Sequence, residues 1–196
     1  LDLGGTVEDQ GDAFGDLLTL FVLIVILVYI VMATQFESLV FPFIIMFTIP
    51  LAFTGTFLAL WLTGTPLSII ALIGAIMLVG IVTKNGIVLV DYTNLLVERG
   101  SSVFDAVVAG GKSRLRPVLM TSFTTILGML PLALGTGEGS ETWQPMGIAV
   151  IGGLTCSTLL TLFIIPALYS VFVNRSQRKE KEKLARLSAE HQASVH

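Results

Sequence analysis

Few residues of this chain are of a type and placement that could do chemistry, and the most pointed is Lys84. It sits in the run Gly80-Ile81-Val82-Thr83-Lys84-Asn85-Gly86-Ile87-Val88-Leu89-Val90, inside an apolar stretch from Leu67 to Asn94. An ammonium group within a membrane-length apolar run costs roughly 2.5–3.5 kcal/mol on insertion scales, so it demands a reason. One reason is snorkelling, in which the four-carbon stem carries the charge to the interface. Asp91, at the boundary, lies seven residues on, about 10 Å along a helix axis. That distance is near the reach of a lysine, and Asn85 adds a second polar group. Spacing alone leaves snorkelling and a buried ion-coupling site both open.

No nucleophile and base stand together elsewhere. His191 and His196 lie in a charged tail, and the single Cys156 lies in an apolar run. The cysteine count excludes a disulfide framework and a thiolate metal site. An enzyme is not expected, nor a cofactor or a bound metal.

The elements that must hold Lys84 follow from composition. Hydrophobic residues make up 54% and charged residues 13%, and the mean hydropathy is +0.87. Such a chain is an all-α integral membrane protein. Leu17 to Phe36 holds no charge and is a first span, residues 17–36. After the polar turn Gln35-Phe36-Glu37-Ser38, no charged residue occurs from Ser38 to Thr83. That run is too long for one crossing of about 30 Å and must fold back. Thr63-Gly64-Thr65-Pro66 supplies the turn, giving spans at 40–62 and 67–92. Pro42 belongs in the first turn of the second span, and Pro50 should kink it.

Ser102-Val103-Phe104-Asp105 looks like a capping box, and Gly110-Gly111 looks like a stop. With Val103, Phe104, Val107 and Val108 on one face, residues 102–111 read as a short amphipathic helix on the membrane surface. Spans at 117–134 and 146–173 complete a set of five, and residues 174–196 form a charged tail. Residues 1–16 carry Asp2, Glu8, Asp9, Asp12 and Asp16, with no Lys or Arg and no initiator Met. They are not a signal peptide, and the expectation is a piece of a longer polypeptide.

The basic residues report orientation rather than nucleic-acid binding. Arg99, Lys112, Arg114 and Arg116 occupy one connector, and Arg175, Arg178, Lys179, Lys181, Lys183 and Arg186 occupy the tail. Two spans separate these clusters, so they fall on the same, cytoplasmic side, and the amino end falls outside. In the fifth span Ala149, Gly153 and Ser157 are spaced by four, as are Gly152 and Cys156. Such small-residue faces let helices approach closely.

Four motifs together resemble the resistance-nodulation-division (RND) family of bacterial efflux permeases. They are Gln35-Phe36-Glu37-Ser38, Gly80 to Asp91, Arg114-Leu115-Arg116-Pro117-Val118-Leu119-Met120-Thr121-Ser122, and Gly152-Gly153 with Ser157-Thr158-Leu159-Leu160 and Ile165-Pro166-Ala167-Leu168-Tyr169. The hydrophobe/amphiphile (acriflavine-resistance-like) branch fits best, since the heavy-metal branch usually lacks a lysine at the position of Lys84. The resemblance implies the last five helices of a twelve-helix bundle, with residues 1–16 ending a periplasmic domain. It implies a homotrimer in the bacterial inner membrane, with a periplasmic adaptor and an outer-membrane channel as partners. It also implies export of drugs or amphiphiles in exchange for protons. Lys84 would then pair with acids of the missing amino-terminal half, and Thr121 and Arg114 would complete the proton relay. Asn85 belongs to the same patch, more as a hydrogen-bonding group toward a neighbouring helix. Thr121 has its own backbone as the alternative partner, and Arg114 has lipid phosphate.

Two other readings stay open beside this one. A non-transporting membrane assembly subunit is favoured by the lack of an intramembrane acid and disfavoured by Lys84 and its flanks. An RND relative moving lipid, polypeptide or metal ions is the other, because drug-contacting residues would lie outside this stretch.

Overall fold

Apolar runs with no backbone partners in lipid must satisfy their own amides, so the chain folds as helices throughout. The computed structural model describes the backbone of residues 3–137 and 139–194, and side chains for residues 9–137 and 139–173. Six helices follow in order: α1 (Leu3–Phe36), α2 (Val40–Met46), α3 (Thr48–Thr63), α4 (Ile69–Glu98), α5 (Val103–Ala133) and α6 (Ser140–Ser194). Five segments are long and apolar enough to cross a membrane: Asp9–Phe36, Val40–Thr63, Ile69–Glu98, Val103–Ala133 and Ser140–Val173. The all-α, five-span architecture is therefore present. Among the described residues there is no strand. The charges of the tail and of the first eight residues, with His191 and His196, lie outside the described side chains.

Local chemistry explains where the helices turn. The chain reverses between α1 and α2 so tightly that Glu37 adopts φ 49°. The Tyr29 hydroxyl spans that turn and donates to the Leu39 carbonyl at 3.3 Å. The second span is broken at Phe47, three residues before Pro50, rather than at the proline itself. Pro50 has no N–H for the Met46 carbonyl and its ring crowds that turn, so the interruption falls on the amino-terminal side. Thr48 opens α3 just after the break and donates its hydroxyl to the Ile45 carbonyl at 2.7 Å, a local bond of the kind that satisfies backbone groups where a membrane helix is interrupted. Gly64 ends α3 with φ 65°, and its N–H reaches the Leu60 and Trp61 carbonyls. Ser68 then caps α4 by accepting from the Ala71 N–H at 3.2 Å.

One expected boundary is different. Residues 102–111 are not a separate surface helix but the first turns of α5, which continues unbroken through Gly110, Gly111 and Pro117. Gly110 is buried against α4: a Cβ there would lie 2.5 Å from the Thr93 hydroxyl. The glycine therefore marks a close helix approach rather than a stop. Val103 is buried in a cluster with Met32, Ile45, Leu89, Ile165 and Tyr169, so this end of α5 is anchored to the bundle. Likewise α1 is already helical from Leu3, well before Leu17.

The most buried span is α4. It packs on α6, α5 and α3 and along one edge on α1 and α2. By contrast, only Met32 is buried among the described residues of α1. Leu23, Leu27 and Ile30 of α1 and Phe123 and Leu127 of α5 are more than half exposed. In water such surfaces would aggregate; here they face lipid or further helices.

Candidate ion-coupling site

Two opposite faces of α4 divide the polar groups around its centre. Val82, Thr83, Asn85, Gly86 and Leu89 are buried, whereas Gly80, Lys84 and Asp91 are exposed. Gly86 lets α4 meet its neighbours, since a Cβ there would press on Ile45 and Ile165. Lys84 opens onto a groove of about 300 Å³ between α4 and α1, lined also by Leu27, Val28, Val31 and Thr83. None of the residues lining that groove is acidic. The ammonium thus has no carboxylate beside it there, and Asp91 stands two helical turns away.

The other predicted relay residues sit on α5. Arg114 lays its guanidinium over the Tyr92 ring of α4, 4.4 Å from the centroid. Its Nε is buried and has no hydrogen-bond partner among the described residues. This holds Arg114 to α4 by a cation–π contact instead of leaving it free to snorkel. Thr121, two turns further along α5, is exposed and donates its hydroxyl to the Pro117 carbonyl at 2.6 Å. It takes the backbone option that the sequence left open. Neither Arg114 nor Thr121 lines the Lys84 groove.

Residues 1–173 match the AcrB/AcrD/AcrF family. The chain belongs to this family. A heavy metal efflux pump solved in two crystal forms is similar to this AcrB/AcrD/AcrF member. Form II gives a TM-score of 0.77 and 34% identity over 85% of this chain and 16% of that chain. Form I gives 0.71 and 35% over 84% and 16%. The chain thus spans 16% of the length of the pump it resembles. The family expected from the motifs is present, and these matches do not single out the hydrophobe/amphiphile branch.

In this AcrB/AcrD/AcrF member, the small residues of α6 lie where α3 and α4 press closest. A Cβ on Gly152 would collide with Ala59, and one on Gly153 with Leu78. Ala149 is fully buried, and its carbonyl accepts the Thr56 hydroxyl at 3.1 Å. Ser157 is also buried and donates to the Leu154 carbonyl at 3.3 Å.

Several polar residues were not singled out by sequence. Ser122 of α5 and Thr158 of α6 share a buried hydroxyl–hydroxyl hydrogen bond of 2.9 Å. The Tyr169 hydroxyl donates to Asn94 Oδ1 at 3.4 Å, and Asn94 donates to Glu98 at 3.0 Å. Thr83 and Thr161 carry buried hydroxyls with no partner among the described residues. Ser122 and Thr158 each follow a residue already emphasised, but only pairing of α5 with α6 connects them.

Proposed function

We propose that the chain is the carboxy-terminal membrane part of a proton-driven efflux permease that exports drugs or other amphiphiles. Lys84 carries the reading: a lone ammonium on an open face of α4, in a groove with no acid of its own. A charge placed so deep is tolerated when a counter-charge is supplied from elsewhere, here by carboxylates of the amino-terminal half of the same permease. Opposite charge within about 4–6 Å favours the ionised carboxylate. Proton uptake by the acids then releases Lys84 and lets the halves reorient. Arg114, pinned on Tyr92, and Thr121 stand on α5 to pass that change to the neighbouring helix, with Asn85 buried behind Lys84.

The permease would lie in the bacterial inner membrane with its amino end periplasmic and its tail cytoplasmic, as the basic clusters require. A homotrimer joined to a periplasmic adaptor and an outer-membrane channel is the assembly the family resemblance favours. The test is efflux by the full-length gene product in a strain deleted for its own pumps, with and without a proton gradient. Gradient-dependent export of a cationic dye supports the proposal. Export that persists after the gradient is collapsed overturns it.

One observation favours a second reading, that the cargo is a metal ion: both similar solved structures are of a heavy metal efflux pump. Metal tolerance without drug tolerance in the same strain would select it.

A further inference from the structure

Lys112, Arg114 and Arg116 stand close together on α5, and the helix turns them to different sides. Lys112 and Arg116 are four residues apart and share a face, whereas Arg114 between them points away. Arg114 is engaged with the Tyr92 ring of α4. Lys112 and Arg116 are both exposed. They line an open groove of about 740 Å³ whose other walls are Leu115, Leu119 and Met120. No acidic residue lines it. Two cations beside apolar side chains fit a ligand that is anionic at one end and apolar at the other.

The apolar end has a place to go. Leu119 also lines a second groove of about 260 Å³ between α5 and α6, with Phe123, Ile126 and Leu159 among its walls. The hydroxyls of Ser122, Thr155 and Thr158 border that groove, and all are already satisfied. Ser122 and Thr158 bond each other at 2.9 Å, and Thr155 donates to the Ile151 carbonyl at 2.7 Å. What remains is a hydrocarbon surface, unsuited to a polar ligand and matched to an acyl chain. Depth agrees as well. Pro117 opens the charge-free run of α5, which puts Arg116 at headgroup level. Ile126 is ten residues further on, about 15 Å of helix. That is half of a hydrocarbon core about 30 Å thick, the depth of one leaflet.

We propose that these two grooves form one site for an anionic phospholipid of the leaflet nearest Arg116. Lys112 and Arg116 hold its phosphate. One acyl chain passes Leu119 and lies between α5 and α6 against Phe123 and Ile126. Binding is ionic and apolar only, and no covalent bond is made or broken. The site does not depend on ion coupling by Lys84.

The test uses the full-length permease in phosphatidylcholine nanodiscs doped with phosphatidylglycerol or phosphatidylcholine whose acyl chains carry bromine. Phe123→Trp, at a position 61% exposed, puts an indole in the groove, and its quenching is read as the difference from the parent protein. Brominated phosphatidylglycerol should quench it at a membrane fraction roughly tenfold to thirtyfold lower than brominated phosphatidylcholine, the scale of two cations acting on one anionic headgroup. Adding Lys112→Gln and Arg116→Gln should remove that preference. Lys112→Arg with Arg116→Lys keeps both charges and should retain most of it. Equal quenching by the two lipids means ordinary contact with the bilayer and overturns the site. Quenching by neither lipid means that protein covers the groove, and overturns it too. A preference that survives loss of both charges overturns the role of Lys112 and Arg116.

Discussion

Arg114 and Tyr92 join α5 to α4 through a guanidinium stacked on a phenol ring at 4.4 Å. The contact fixes a cation that the sequence alone allowed to wander to lipid. Tyr92→Phe should keep most of it, because the ring face provides the attraction. Tyr92→Leu should lower stability by about 0.5–2 kcal/mol beyond any packing change. Thermal unfolding in detergent of the two variants checks this, and equal midpoints would show that the stacking contributes nothing.

Lys84 faces a groove without an acid, so its two readings predict opposite results. As a snorkelling residue it is replaceable, and Lys84→Met should be neutral or slightly stabilising with full efflux. As the counter-charge of carboxylates elsewhere in the permease, the same change should leave abundance intact and stop transport. Lys84→Arg should not restore it, since a planar guanidinium is bulkier and prefers bidentate contacts. Efflux measured beside membrane abundance decides between them.

Glycines in this bundle divide into two kinds, and alanine scanning should separate them. At Gly153 a Cβ would collide with Leu78 and crowd Thr56, so Gly153→Ala should destabilise by about 1–3 kcal/mol through overpacking. At Gly128 a Cβ meets nothing within 4 Å. Gly128→Ala should be neutral or gain up to about 1 kcal/mol from helix propensity. The ranking is read from expression level and thermal midpoint, and a reversed order would show that α6 does not approach α4 this closely.

The Ser122–Thr158 pair supplies a third stability test. Ser122→Ala should cost about 1–3 kcal/mol, because it leaves the Thr158 hydroxyl buried without its partner. Adding Thr158→Val should cost little more. Additive losses in this double-mutant cycle would mean that the two hydroxyls do not interact.

Five crossings also fix which loops share a side. In a Cys156→Ala background, single cysteines at Ser101 and Thr136, both exposed, should label from opposite faces of the membrane. The proposed orientation puts Ser101 in the cytoplasm. Labelling of both from one face would refute the five-span count.

The sequence by itself determined the number of membrane helices and the position of the lone charge inside them. Both follow from lengths of apolar run set against a bilayer about 30 Å thick, a one-dimensional constraint. It also placed the turn at Gly64 and the cap at Ser102, because those depend on residues within a few positions of each other. Tertiary structure decided what depends on neighbours far away in the chain. Gly110-Gly111 reads locally as a helix stop, yet Thr93 of α4 needs the space at Gly110, and α5 runs on. Arg114 reads equally well as an anchor or a relay group until Tyr92, more than twenty positions earlier, lies beneath it. Thr83 looks like any helix threonine, and only the tertiary structure shows a buried hydroxyl with no partner among the described residues. Local patterns encode where backbone amides find partners; which side chains meet is set by which helices pack against each other.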